Sequence, residues 1–251
     1  MAAANRIGGR KPVRLTSAAT IVLAEAMSAP VITVEPIGAE RQPLITIDNF
    51  APDPDALRTG AIASRFGAAA QHYPGIRAPL PPDYWPTQLP VIAAALAEAF
   101  GHRGAIDLID ASFSVVTRSP AALTIGQRLP HCDSPAPDRL ALVHYLSPER
   151  TDGTAFFRHR TTGYETIDSD RAPTYQAQLQ AELRATERPA GYLAADTPLF
   201  ERTAIVEARY NRAVLYRSFL LHSGAIAAPG TLSPAPATGR LTITAFFAMQ
   251  E

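Results

Sequence analysis

The chain has 251 residues, 47% of them hydrophobic, and its 23 basic side chains balance its 23 acidic ones. This length and composition allow one domain with a sizeable core. Zero net charge excludes the basic footprint of nucleic-acid-binding proteins and of polybasic membrane-binding segments, and no run of about twenty apolar residues predicts a membrane span. We therefore expect no nucleic-acid and no membrane partner. A single cysteine excludes an intrachain disulfide, which fits a cytoplasmic location.

The chain is predicted to form one folded domain over residues 41–251, preceded by an N-terminal extension over 1–40 that is partly disordered or peripheral. Strands are expected where β-branched and aromatic residues cluster or alternate with polar ones. These segments are 31–34, 44–47, 111–117, 142–146, 152–157, 204–213, 213–221 and 240–247. The predicted class is mainly β with flanking helices (α+β), a double-stranded β-helix (jelly roll) core backed by N-terminal helices.

Three helices are expected. Asp53 followed by Pro54 is typical of a helix start, an N-cap with proline in the first turn. A second helix is predicted over 89–100, and an exposed helix inside an insertion over 169–187. Residues 72–86 are rich in proline and are predicted to form a loop that lines a substrate entrance.

The most informative pattern is His131 and Asp133, followed far downstream by His222. Residues i and i+2 of a strand point to the same face, so His131 and Asp133 would aim at one point while Cys132 turns away. His222 follows an apolar strand, from which it would reach the same point. Two imidazoles and one carboxylate are the ligands of the facial triad that holds Fe(II) and leaves positions open. We predict that His131, Asp133 and His222 bind Fe(II) and are catalytic.

Arg240 and Thr242 open the last predicted strand and share one of its faces. Because Lys11 is the sole lysine, the anchor of an anionic ligand in the domain would be an arginine. A guanidinium fork with a hydroxyl two residues on forms a good pocket for a carboxylate. An open metal site beside a fixed cation suits a chelating dianion such as 2-oxoglutarate. Arg240 and Thr242 are the predicted cofactor-binding residues.

With these motifs, residues 44–250 resemble the Fe(II)/2-oxoglutarate-dependent oxygenase superfamily, nearest its prolyl-hydroxylase-like branch. Residues 129–133 resemble the family's ligand strand, 222–224 its distal-ligand region, and Gly239-Arg240 its carboxylate-binding Gly-Lys or Gly-Arg. The resemblance implies a dioxygenase that uses dioxygen and 2-oxoglutarate, releases succinate and CO2, and hydroxylates a C–H bond of a small molecule or peptide side chain. It also implies hydroxylation over halogenation, because related halogenases lack the carboxylate that Asp133 provides.

The chain departs from that family in three ways. The segments 133–222 and 222–240 are longer than usual, and the second carries a proline-rich insert at 229–236. Insertions in loops cost little free energy, so they bear on the substrate region more than on the core. A tyrosine that often helps to bind the co-substrate, upstream of the first ligand, has no clear counterpart.

Two other function classes stay open: a cupin-like metalloenzyme that does not use 2-oxoglutarate, and a non-catalytic jelly-roll binding module. Cupins cluster their ligands as His-x-His with a glutamate, and no His-x-His pair occurs in this chain. His144 and His159 are predicted to be strand-face or surface residues. Arg158, Arg160 and Arg217 are weaker candidates for contact with an anionic substrate.

Overall fold

A computed structural model of the chain describes residues 29–69, 73–148, 153–226 and 232–250. The predicted extension up to residue 28, His72 and the start of the proline-rich insert lie outside the described residues. Within the described ranges, the protein consists of antiparallel β-sheet with three flanking α-helices, which confirms the predicted mainly-β, α+β class. None of these helices is both long enough and apolar enough to cross a membrane.

The α-helices are α1 Pro54–Ala63, α2 Tyr84–Phe100 and α3 Ala172–Ala185. The strands before the metal-ligand motif are β1 Val31–Ile37, β2 Gln42–Asp48, β3 Gly67–Ala68, β4 Gly75–Pro79 and β5 Ile106–Val116. Those after it are β6 Arg139–Tyr145, β7 Gly153–His159, β8 Phe200–Glu207, β9 Ala213–Arg217, β10 His222–Ala225 and β11 Arg240–Met249.

The strands form two sheets. The larger has eight strands in the order β1-β2-β9-β6-β11-β5-β4-β3, and the smaller has three in the order β10-β7-β8. An isolated bridge between His131 and His222 adds one short segment to the smaller sheet beside β10. Tyr145 and Tyr216 of the larger sheet pack in one cluster with Phe156 of the smaller sheet. The two sheets therefore face each other across a shared interior.

The opposite face of the larger sheet is covered by α1 and α2. Side chains alternate between the two faces of a strand, so Leu142 and Ile243 point away from the interior and pack with Ile92 and Leu96 of α2. Helix α1 begins where predicted, because the Asp53 carboxylate accepts a hydrogen bond of 2.8 Å from the Ala56 amide. The helices thus brace the sheet from behind and leave its inner face to the functional site.

The prediction of a loop over 72–86 was wrong for 75–79 and 84–86, whereas 73–74 and 80–83 lie outside strands and helices. Residues 75–79 form β4 and pair with β5, and α2 starts at Tyr84 rather than at 89. Pro86 is the third residue of this helix, a position whose N–H has no partner within a helix in any case. The prolines of this segment therefore mark the start of a helix and do not exclude one.

Strand β1 lies in the predicted N-terminal extension, yet it pairs with β2 from Val31 opposite Asp48 to Ile37 opposite Gln42. The turn between these strands is fixed by Glu165, whose buried carboxylate accepts hydrogen bonds from the amides of residues 39 and 40. The domain boundary at residue 41 stays a prediction.

Candidate metal centre

His131 and His222 lie directly opposite each other on two antiparallel segments. Each backbone amide donates a hydrogen bond of 2.9 Å to the carbonyl of the other residue. Paired residues of this kind place their side chains on the same face, and the two imidazole rings have centroids 4.5 Å apart. The Asp133 amide donates to the Ser218 carbonyl at 2.8 Å. Three backbone contacts therefore hold the histidine pair and the carboxylate in one place.

The three side chains converge on one point. Their potential ligand atoms all lie within 4.8 Å of one another. One oxygen of Asp133 is 3.3 Å from Nε2 of His222, and the other is 3.6 Å from Nε2 of His131. Ligand atoms at right angles around an ion, with bonds of about 2.1 Å, are separated by about 3 Å. The observed spacing is close to that of a tridentate metal site.

The tautomer of His222 is set by its backbone. Its Nδ1 lies 2.8 Å from the carbonyl oxygen of Leu220, which accepts hydrogen bonds only. Nδ1 therefore carries a proton, and Nε2, which lies toward Asp133, is the ring nitrogen left to bind a metal. The ring packs edge-on against Tyr216, with centroids 4.7 Å apart, and its side chain is 7% exposed. The imidazole is therefore already oriented to bind a metal ion through Nε2.

The other two members of the cluster face outward to different degrees. The His131 side chain is 52% exposed and that of Asp133 is 19% exposed. The cluster thus has a buried wall at His222 and an open side at His131. A ligand would approach from the open side.

All three residues line one cavity of ≈570 Å³, a volume within the usual range for small-molecule sites. Arg240 and Thr242 line the same cavity. The structure therefore brings the five residues predicted from the sequence to the wall of a single cavity.

Arg240 is buried at the start of β11. Its Nη2 donates a hydrogen bond of 3.1 Å to the Gly153 carbonyl, and its guanidinium carbon lies 5.9 Å from the centre of the Tyr145 ring. Thr242 is opposite Tyr145 on one side and Ser114 on the other, in the middle of the larger sheet. Strands on both sides of β11 thus hold Thr242, and β5 holds Arg240 opposite Val116, so a carboxylate would meet the cation and the hydroxyl together.

Tyr73 is a site residue that the sequence argument missed. Its hydroxyl is buried and lies close to the hydroxyls of Thr242 and Ser114, although it makes no hydrogen bond of standard geometry with a described residue. Burial raises the pKa of this phenol above its ordinary value, while Arg240, Arg77 and the hydroxyls of Thr242 and Ser114 lower it. The phenol is therefore a neutral donor beside the Arg240 guanidinium. No spacing in the sequence links Tyr73 to β11, because their proximity comes from sheet pairing.

Cys132 is half-buried, packs against the apolar group that contains Leu129 and Phe157, and also lines the cavity. Burial, and then the charge of Asp133, raises the pKa of its thiol. The sulfur is therefore held as a neutral thiol and not as a nucleophile.

His144 and His159 are core residues that belong to other hydrogen-bond groups. His144 lies between the Tyr84 hydroxyl at 3.3 Å and the Asn211 side chain at 3.0 Å. His159 lies 2.7 Å from a carboxylate oxygen of Glu182. Neither is near the cluster of His131, so both agree with the prediction that they are not ligands.

The three arginines considered for an anionic substrate are engaged elsewhere. Arg158 forms a 2.6 Å ion pair with buried Glu165, and Arg160 lies 3.3 Å from Asp196. The Arg217 guanidinium stacks 4.5 Å from the Phe100 ring. None of them is among the described residues that line the cavity.

Comparison with known proteins gives one family match. The model of a family described as "Family of unknown function (DUF6445)" matches residues 28–247. No curated protein matches the chain. Among solved structures, the non-heme alpha ketoglutarate dependent carbocyclase SnoK from nogalamycin biosynthesis is 11% identical, with a TM-score of 0.40 over 83% of this chain and 80% of that chain. A likeness this distant establishes neither a shared fold nor a shared activity.

Proposed function

The chain belongs to the DUF6445 family, whose function is unknown, and we propose that it is an Fe(II)- and 2-oxoglutarate-dependent oxygenase. In this proposal it hydroxylates a C–H bond of a small molecule or peptide side chain and releases succinate and CO2. The observation that carries the proposal is the convergence of His131, Asp133 and His222 in the cavity that Arg240 also lines.

The donor set fits a ferrous ion. Two neutral imidazole nitrogens and one carboxylate on one side of a point are the ligands typical of non-heme Fe(II) oxygenases. His222 has its lone pair directed inward by the Leu220 carbonyl, and Asp133 offers one oxygen toward each histidine. When bound, Fe(II) would supply the redox chemistry by which dioxygen oxidises both 2-oxoglutarate and the substrate.

The other end of the cavity fits the distal carboxylate of 2-oxoglutarate. Arg240 supplies charge and a planar fork, and the Tyr73 hydroxyl supplies a neutral donor next to it. The Thr242 hydroxyl donates a long hydrogen bond of 3.4 Å to the Ser114 carbonyl and would turn from it to the bound carboxylate. The Tyr73 phenol stays protonated because burial raises its pKa. These groups would orient the co-substrate and exclude water from its carboxylate.

The strand order supports a double-stranded β-helix for residues 106–249. From β5 onward the chain alternates between sheets: β5 in the larger, the 131–133 segment in the smaller, β6 in the larger, then β7 and β8 in the smaller. It returns to the larger sheet at β9, to the smaller at β10 and to the larger at β11. Two facing sheets with this winding are what a jelly roll requires.

Asp133 favours hydroxylation as the outcome. Its carboxylate occupies the position that would otherwise be open to a halide, and its backbone is fixed by Ser218. We therefore assign the protein to hydroxylation rather than halogenation.

The proposal is tested by adding Fe(II) and 2-oxoglutarate to the anaerobic protein. A weak visible charge-transfer band, typical of a chelated keto acid, should appear in the wild type and be lost in H131A and D133A. Metal binding without this band, and without affinity for 2-oxoglutarate, would instead favour the cupin-like alternative. Absence of metal binding would favour a binding module.

A further inference from the structure

Arg77 is a second arginine on the cavity wall, and the proposed function gives it no role. On β4 it lies opposite Ser114 of β5, and Ser114 lies opposite Thr242 of β11. Residues paired across neighbouring strands share a face of the sheet. Arg77 therefore faces the same interior as Thr242, two strands away.

The Arg77 guanidinium is held in place, but one of its N–H groups has no hydrogen-bond partner among the described residues. It stacks on the Tyr73 ring, with its carbon 4.7 Å from the ring centre. Its Nη1 is 3.5 Å from Asp110, a carboxylate that is 55% exposed, so this ion pair is weak. Its Nε is buried and has no hydrogen-bond partner among the described residues. The Nε and Nη2 edge is the one that a carboxylate engages with two parallel hydrogen bonds.

The charges on the cavity wall point to an additional anion. Among the described lining residues, the side chains with formal charge are those of Arg77, Asp133 and Arg240. With Fe(II) and 2-oxoglutarate in place, the ion, the dianion, Asp133 and Arg240 sum to zero. Among the described lining residues, the charge outside this balance is that of Arg77, whose 3.5 Å partner Asp110 is half exposed and does not line the cavity. One carboxylate balances a single positive charge, whereas a phosphate monoester at about −1.5 to −2 overcompensates it.

We propose, on the premise of the proposed function, that Arg77 binds a carboxylate of the prime substrate. The substrate is then a small carboxylic acid rather than a neutral molecule or an uncharged peptide side chain. The cavity of ≈570 Å³ accommodates a co-substrate together with a second small molecule. Tyr73 links the two sites, because its ring supports Arg77 and its hydroxyl lies beside Arg240.

The test uses a panel of small monocarboxylic acids, each paired with the primary carboxamide of the same carbon skeleton. Binding is measured as the change that each compound causes in the visible band of the anaerobic protein with Fe(II) and 2-oxoglutarate. At least one acid should bind, and its amide should bind about tenfold more weakly or worse. R77Q should lose about tenfold or more of its affinity for that acid. Its affinity for 2-oxoglutarate should stay within about threefold of the wild type, because Arg240 holds that carboxylate.

R160Q is the matched control, since Arg160 is also a partly exposed arginine with a long ion pair to an exposed carboxylate, and it is not among the cavity-lining residues. It should behave as the wild type. R77K retains charge without the fork and should bind the acid with intermediate affinity. Thermal unfolding of each variant checks that it is folded.

Three results would overturn this inference alone: no acid binds, acids and amides bind equally, or the preference for the acid survives in R77Q. A loss of 2-oxoglutarate affinity in R77Q as large as in R240Q would also overturn it, by placing Arg77 in the co-substrate site. If the wild type does not bind 2-oxoglutarate at all, the proposed function fails, and this inference fails with it.

Discussion

Two parts of the cavity wall are built differently: the metal end, formed by His131, Asp133 and His222, and the anchor end, formed by Arg240 and Thr242. At the metal end, His131 and Asp133 lie outside any extended strand, joined to β10 by an isolated bridge, and His131 is half exposed. At the anchor end, Arg240 and Thr242 lie on a ten-residue strand between β5 and β6, and both are buried. A buried strand holds the Arg240 charge in a fixed position, whereas the exposed His131 leaves one side of the cluster open. Under the proposed function, the cavity would combine a rigid anchor for the co-substrate with an accessible metal centre.

The largest expected effect on turnover comes from removing a proposed metal ligand. D133A removes the carboxylate that lies between the two imidazoles, so Fe(II) affinity should fall by about 100-fold or more, and 2-oxoglutarate turnover should vanish. Equilibrium dialysis of Fe(II) under anaerobic conditions measures this. D138N is the control, because Asp138 is a half-exposed carboxylate paired with Arg139 at 3.7 Å. Equal Fe(II) affinity in D133A and D138N would exclude Asp133 as a ligand.

Removing the Arg240 guanidinium should weaken 2-oxoglutarate binding and leave Fe(II) binding nearly unchanged. R240Q leaves a carboxylate without its charged partner, a loss of about 3–5 kcal/mol in 2-oxoglutarate binding. Its Fe(II) affinity should remain within about threefold of the wild type, since sites that share no ligand are nearly additive. The affinity of R240K for 2-oxoglutarate should lie between those of the wild type and R240Q, because lysine keeps the charge but not the planar fork of arginine. Calorimetric titration with 2-oxoglutarate decides the matter, and an unchanged affinity in R240Q would contradict the assignment.

The stability of the folded protein should decrease in acid because of His144, which lies on β6 next to β11. Burial lowers the pKa of His144 to about 4 from its ordinary value of 6.5, against an opposing hydrogen bond to Asn211. The unfolded chain therefore binds a proton that the folded chain excludes, so this group's contribution to stability is complete above about pH 6.5 and falls as the pH drops toward 4. The loss is about 3 kcal/mol. Chemical denaturation at a series of pH values should show this slope, and the slope should be weaker in H144Q. An identical slope in both proteins would contradict it.

The smallest expected effect is the loss of 2-oxoglutarate affinity on removal of the Thr242 hydroxyl. T242V keeps the shape of the side chain and removes one neutral hydroxyl, so 2-oxoglutarate affinity should weaken by about 1 kcal/mol, roughly fivefold. T33V, on the exposed edge strand β1, should have no effect. The comparison of the two variants by titration isolates the contribution of the hydroxyl, and a loss as large as that in R240Q would contradict the assignment of Arg240 as the main anchor.

Local pattern was enough to single out five side chains that the structure brings to the wall of one cavity, whose roles stay predictions. Arg240 and Thr242 share a face because side chains alternate along β11, and period two is legible in the sequence. His131 and Asp133 converge with His222 for a related reason, although the first two lie outside an extended strand. The Asp53 cap and the helix it starts were also predicted correctly.

Tyr73 and Arg77 were not singled out individually, although their segment was predicted to line a substrate entrance and both do line the cavity. Tyr73 and Arg77 belong to a segment whose prolines suggested a loop, and their positions follow from the register of β4 on β5. That register depends on the packing of distant strands and leaves no mark in local composition. The same prolines hid the first turn of α2, where a missing N–H costs nothing.

The central claim is that one ligand bridges both ends of the cavity, and the most direct test is the affinity for 2-oxoglutarate with and without Fe(II) under anaerobic conditions. A bridging ligand requires coupling, so Fe(II) should tighten 2-oxoglutarate binding by about tenfold or more, and 2-oxoglutarate should tighten Fe(II) binding by the same factor. D133A should abolish this enhancement. The same 2-oxoglutarate affinity with and without Fe(II) would contradict the account.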